Sequence, residues 1–70
     1  MMPLTLAALG EENLVRRVGG SPEVKKHLED MGFVPGSTVT VVSALGGNVI
    51  VKVKESRVAI SNEMARRIMI

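Results

Sequence analysis

The side chain best equipped for chemistry in this chain is its one histidine, His27, with Glu23 four residues before it and Asp30 three residues after. On a helix these three share a face, where an imidazole and two carboxylates could begin a metal site. They do not complete one: zinc takes four ligands, and carboxylates alone do not mark a site, so the expected state is a solvated helix face. A metal here would need a second copy of the chain to fill its shell. The five methionines offer soft thioether donors of the kind copper(I) prefers. Met1 and Met2 are terminal, however, while Met31 and Met64 fall at core positions of helical segments and Met69 lies in the last apolar run, so packing is the expected role. Ser21, Ser37, Ser43, Ser56 and Ser61 have a single imidazole to share and no nucleophile-elbow context, and most sit at turns or caps. Gly19-Gly20 and Gly46-Gly47 lack the lysine that follows a phosphate-cradling loop. No catalytic residue and no cofactor is expected, and the chain does not read as an enzyme.

Charge is the remaining source of chemistry. Nine basic residues against seven acidic ones leave a formal charge of +2, with the bases grouped as Arg16-Arg17, Lys25-Lys26, Lys52 with Lys54 and Arg57, and Arg66-Arg67. Such groups could meet phosphate, but a nucleic-acid-binding barrel adds stacking aromatics, and Phe33 is the only aromatic side chain. Nucleic acid is therefore not an expected partner. A chain of 70 residues buries about 60% of its unfolded surface, enough for one thin core and too little for an enclosed substrate cavity. One domain spanning residues 1–70 is expected. Cysteine is absent, which removes disulfides and thiolate chemistry and fits a reducing compartment such as the cytosol. The apolar start, Leu4 to Leu9, lacks the basic opening of a secretory signal and is broken at Gly10-Glu11-Glu12, too short to span a bilayer. It reads as part of the fold, with no direct membrane insertion.

The elements that must position these groups follow from punctuation and period. Leu14 to Val18 reads as a first strand ending at Gly19-Gly20. Ser21 is a good helix N-cap and Pro22 suits the first helical position, and Val24, Leu28 and Met31 recur at helical spacing, which predicts a helix over Ser21 to Met31. Gly32 stands where a left-handed residue ends a helix, and Pro35-Gly36 fits the central pair of a type II turn. Thr38 to Ala44 and Asn48 to Lys54 then alternate around a Gly46-Gly47 hairpin turn, with Val49, Val51 and Val53 on one face against Ile50, Lys52 and Lys54 on the other. Val58 and Ile60 give another strand, residues 62–66 a single helical turn, and Ile68 to Ile70 a terminal strand. About five short, turn-punctuated antiparallel strands predict a mainly β, strongly bent barrel with an inserted helix.

In order and spacing this chain resembles the FeoA domain of bacterial ferrous iron uptake. The family places an arginine-leucine pair, then leucine or methionine followed by glycine and a bulky apolar residue, then a Pro-Gly turn. Here the corresponding residues are His27-Leu28, Met31-Gly32-Phe33 and Pro35-Gly36. The opening Leu4 to Leu9 with Gly10, then Val15 and Val18, and the closing Val58-Ala59-Ile60, Met64-Ala65 and Ile68-Met69-Ile70 extend the likeness over nearly the whole chain. It departs at His27 and Ser61, where many members carry arginine.

The resemblance implies an SH3-like barrel acting as a small cytosolic accessory to FeoB, the membrane ferrous transporter with a GTP-binding domain. Iron enters through the family and not through ligands, since one histidine cannot supply a two-histidine ferrous site. The expected location is cytoplasmic, at the inner membrane only through its partner. Candidate contact residues are Lys25, Lys26 and His27 on the helix and Ala44, Leu45, Gly46 and Gly47 in the hairpin, where apolar or bare positions suit a protein contact. Two alternatives accompany this reading. One is a regulatory SH3-like module related to the C-terminal domain of DtxR-type iron-dependent repressors. The other is a self-associating adaptor, a monomer or weak homo-oligomer using a free sheet edge at Thr38 to Ala44 or Ile68 to Ile70.

Overall fold

Apolar periods in the sequence resolve into six strands and two helices in the computed structural model, which describes residues 1–70. In chain order a 3-10 turn at Leu4–Leu6 precedes β1 (Glu12–Leu14), β2 (Arg17–Val18), α1 (Pro22–Asp30), β3 (Thr38–Leu45), β4 (Asn48–Val53), β5 (Ser56–Ser61), α2 (Asn62–Ala65) and β6 (Ile68–Met69). The architecture is mainly β and antiparallel, as expected. It has two sheets, ordered β1-β3-β4-β5 and β2-β6.

Period-two alternation builds the meander of β3, β4 and β5. Val49, Val51 and Val53 are buried, with Val39 opposite Val53 and Val41 opposite Val51, and β5 places Val58 and Ile60 against Val51 and Val49. Lys52 and Arg57 stand outside. The hairpin turn is Gly46-Gly47, with Leu45 paired to Asn48 and Gly46 at φ 61°, so β3 runs one residue beyond Ala44. A register shift between Val41 and Ser43 leaves Val42 as a bulge, which bends the ladder. β4 stops at Val53 instead of Lys54, whose φ of 55° places it in the next turn.

The expected first strand, Leu14 to Val18, is divided. β1 pairs with β3 through Leu14 and Thr38, whereas β2 pairs with β6 through Arg17 and Met69. Between them Val15 exchanges bonds with the Pro35-Gly36 turn, its N–H donating to the Ser37 carbonyl at 2.8 Å and its carbonyl accepting from Gly36 N–H at 2.8 Å. Arg16 N–H then donates to the Met69 carbonyl at 2.8 Å. The chain thus changes partner within one step, which is how a short sheet turns a corner. Val15 and Val18 are both buried while Arg16 and Arg17 are both exposed. A regular strand would have turned one of two consecutive arginines inward.

Each helix is set by its caps. The Ser21 hydroxyl accepts the Val24 N–H at 3.3 Å, Pro22 occupies the first helical position, and Leu28 is the fully buried residue of the face, flanked by partly buried Val24 and Met31. At the other end Phe33 N–H donates to the Leu28 carbonyl at 3.0 Å and Gly32 N–H to the Glu29 carbonyl at 3.0 Å, a Schellman motif with Gly32 at φ 107° and a Leu28–Phe33 apolar pair. Gly36, at φ 94°, completes the expected Pro-Gly turn. Ser37 Oγ lies 2.7 Å from the Val34 carbonyl and 3.0 Å from the Gly32 carbonyl, holding this exit together. Ser61 caps α2 in the same way as Ser21 caps α1, accepting Met64 N–H at 3.2 Å.

Both ends of the chain close the core. Met2 and Ile70 exchange backbone bonds of 2.9 and 2.8 Å, Pro3 bridges Met69, and Leu4 is buried, so the apolar N-terminal segment belongs to the fold as expected. Leu4, Val15, Val18, Leu28, Phe33, the meander valines, Ile60, Ala65, Ile68 and Ile70 form one cluster, with no buried polar or charged residue.

Candidate functional site

The corner at Val15–Arg16 brings β2 beside α1 and opens a cleft between them. Its lining comprises Arg16, Arg17, Val18, Gly19, Gly20, Lys25, Glu29 and Pro35, around a volume of about 270 Å³. Three cations therefore face one carboxylate in a concavity with a single apolar lining residue. Its position is fixed locally. Gly19 N–H donates to the Arg67 carbonyl at 2.8 Å, tying the loop to the approach to β6, and Lys25 and Glu29 stand one helical turn apart on α1. Gly20 adopts φ 101°, and a Cβ there would meet Val24 Cγ1 at 3.4 Å and Arg67 Cδ at 3.5 Å. Those contacts are of ordinary van der Waals length, so the left-handed backbone, and not crowding, is what favours glycine between β2 and α1.

Two neighbouring hollows share Arg67. One, of about 290 Å³, is lined by Glu63, Arg66 and Arg67, and the other, of about 210 Å³, by Val24, Ser61, Glu63, Met64 and Arg67. Pairing of β2 with β6 thus gathers Arg16-Arg17, Lys25 and Arg66-Arg67, three groups separate in sequence, around one end of the fold. Such a surface is suited to anionic groups, and Arg can hold a carboxylate through two parallel hydrogen bonds. Nothing in it resembles a nucleophile with a base. No group of three or more His, Cys, Asp or Glu side chains is gathered where it could hold a metal ion.

The residues singled out in the sequence do not converge on one pocket. Lys25, Lys26 and His27 are all exposed on α1, but only Lys25 lines a cavity. Ala44, Leu45, Gly46 and Gly47 are exposed at the hairpin tip, where Leu45 is 81% exposed and none of the four lines a cavity. The tip is anchored from below, since the Gly47 carbonyl accepts the Asn62 N–H at 2.9 Å at the start of α2. Sequence reasoning missed Arg16, Arg17 and Glu29 as companions of Lys25. The available signal was the spacing of Val15 and Val18, which breaks period two around the two arginines.

Comparison with known proteins decides what kind of molecule carries these surfaces. The FeoA domain model matches residues 2–70. The chain belongs to the FeoA family. A relative from Methanocaldococcus jannaschii with the provisional name Fe(2+) transport protein A is 34% identical over 70 residues, covering 100% of this chain and 85% of the relative. Among solved structures, the zinc complex of Stenotrophomonas maltophilia FeoA superposes with a TM-score of 0.86 at 25% identity, over 99% of this chain and 88% of that one. That protein is described as a prokaryotic SH3 domain protein and suggested as an activating factor of bacterial ferrous iron transport. A manganese-dependent transcriptional repressor also superposes, with a TM-score of 0.85 at 19% identity, over 94% of this chain and 38% of the repressor. At that identity the likeness is one of fold.

The corner and meander of this FeoA domain are therefore an SH3-like barrel, and its family is one of ferrous iron transport accessories. No helix in it is long and apolar enough to cross a membrane. His27 and Ser61, the two points at which the sequence resemblance departs, differ in setting. His27 is solvent-facing on α1, whereas Ser61 is half-buried and serves as the α2 cap.

Proposed function

We propose that this FeoA domain, spanning residues 1–70 as one unit, is a cytosolic regulator that binds the cytoplasmic side of a FeoB-type ferrous transporter by protein–protein contact. The observation that carries this reading is the FeoA match over residues 2–70, joined to a surface of open, charged hollows and an exposed apolar hairpin tip. Such features recruit a macromolecule more readily than they enclose a small substrate. Contact runs through Lys25, Lys26 and His27 on α1 and through Ala44, Leu45, Gly46 and Gly47 at the hairpin. The domain reaches the membrane through its partner alone, and it acts on transport without catalysing a reaction itself.

The test is an NMR titration of the labelled domain with detergent-solubilised FeoB and with its isolated GTP-binding domain, loaded with GDP or a GTP analogue. Saturable shifts on α1 or on residues 43–48 are expected, with a difference between nucleotides if the domain acts on the nucleotide cycle. A spectrum unchanged by both partners would contradict the reading. A second reading, a regulatory SH3-like module, draws on the fold shared with part of the manganese-dependent transcriptional repressor. It predicts binding to a DNA-binding domain and none to FeoB.

A further inference from the structure

We propose that the cleft between β2 and α1 is a docking groove for an extended acidic peptide segment of a protein partner. This deepens the accessory reading only in naming the chemistry of the contact, and rests on that reading for the identity of the protein that supplies the segment.

Two independent features meet in the groove. The first is a free strand edge: β2 lies in a two-strand sheet with β6 as its only neighbour, so its second edge carries no strand. Both residues of β2 line the cleft, within a run of five consecutive lining residues from Arg16 to Gly20. An extended segment adds to such an edge through main-chain hydrogen bonds, with side-chain contacts giving specificity. At its other wall stands α1, with Lys25 and Glu29, and Pro35 completes the lining.

The second feature is charge. Arg16, Arg17 and Lys25 confront Glu29 within about 270 Å³, a space of side-chain scale. Carboxylates spaced along an extended strand would meet the arginines from alternate positions, while Glu29 repels a compact dianion and accepts a basic or neutral group of the segment. A flat anionic lipid surface matches this concave, mixed-charge site less well, because it favours protruding cations without an intervening carboxylate. An acidic protein segment is the occupant that uses both the edge and the charges.

The experiment uses the full chain, labelled with nitrogen-15, at low salt. The probe is an acetylated, amidated peptide of alternating Glu and Thr. Its comparators are the Lys and Thr counterpart, the acidic peptide N-methylated at alternate residues, inorganic phosphate, and phosphatidylserine-containing vesicles. Saturable shifts at Arg16 to Gly20, Lys25 and Glu29 are expected with the acidic peptide alone. Replacing Arg17→Glu together with Lys25→Glu should raise its Kd at least about tenfold, the scale of losing one charge-assisted hydrogen bond. Both residues are exposed, and the single variant Lys25→Glu, confined to α1, serves if the pair perturbs folding. Equal binding of the N-methylated peptide, shifts mapping elsewhere, or shifts at these residues from vesicles or phosphate but not from the acidic peptide would each overturn the proposal.

A parallel pull-down with FeoB separates the two readings. Peptide binding in the groove without FeoB binding would leave the groove standing and remove the accessory reading. FeoB binding unchanged by the double variant, with no peptide binding, would remove the groove and leave the accessory reading.

Discussion

The meander of β3, β4 and β5 and the corner where β2, β6 and α1 meet are built by opposite means. In the meander, neighbouring strands follow one another through two-residue turns, valines alternate inward, and each ladder is local in sequence. At the corner, Arg17 pairs with Met69 from the far end of the chain, the strand is two residues long, and alternation breaks between Val15 and Val18. On the proposals above, the corner and the hairpin tip carry recognition, and the paired ladders of the meander serve as scaffold. Regular alternation buries every second residue and leaves an unremarkable outer face. The broken step presents two adjacent arginines beside a helix flank in one concavity, on a strand with a single strand neighbour.

Substitutions can break or sharpen this contrast, beginning with the residue on which both regions depend. Phe33 is fully buried at the α1 exit and belongs to the single core shared by meander and corner. Phe33→Ala is expected to cost about 3–5 kcal/mol in urea unfolding, with far-UV circular dichroism recorded at each point to follow the folded fraction. A cost below about 1 kcal/mol would mean the two regions do not share that core.

Gly20→Ala acts on the corner alone. It forces a side chain into φ 101°, a left-handed backbone that L residues rarely adopt, with an expected cost of about 1–3 kcal/mol. Hydrogen exchange should accelerate over Val18 to Glu23 before it does in β4. Ser21→Ala removes the α1 cap, at a cost of about 1 kcal/mol by denaturant midpoint, and loosens the wall bearing Lys25. The smallest effect belongs to the meander's outer face, where Lys52 stands directly opposite Arg57. Arg57→Glu turns a like-charge pair into an opposite one and should stabilise by about 0.2–1 kcal/mol, a gain that shrinks with added salt. Destabilisation there would mean that Arg57 makes a stabilising contact that its pairing with Lys52 does not account for.

The same contrast explains what the sequence made legible. Val49, Val51 and Val53 alternate with the half-buried Ile50 and exposed Lys52 and Lys54, Gly46-Gly47 sits at the turn, and Ser21-Pro22 and Gly32 bracket α1, so each of these features could be read from a local rule. The family likeness added the SH3-like closure, which no local pattern contains. The division of Leu14 to Val18 escaped because it depends on Val15 bonding to Gly36 and Ser37 while Arg16 bonds to Met69, a choice of partners made by tertiary packing. Arg16, Arg17 and Glu29 escaped as site residues for the same reason. Lys25 was singled out with Lys26 and His27 as one exposed face, but helix geometry turns Lys25 and Glu29 toward the cleft, and Lys26 and His27 line no part of it. At the hairpin, exposure of Ala44 to Gly47 was expected and observed, while the anchoring of Gly47 by Asn62 came from the fold.

The most direct test of the account is hydrogen exchange measured by mass spectrometry on the full chain, alone and with detergent-solubilised FeoB in its GDP and GTP-analogue states. The account predicts slowed exchange over residues 16–30 and 43–48 on binding, with the outer face of β4 and β5 unchanged. Protection absent throughout, or confined to β4 and β5, would contradict it.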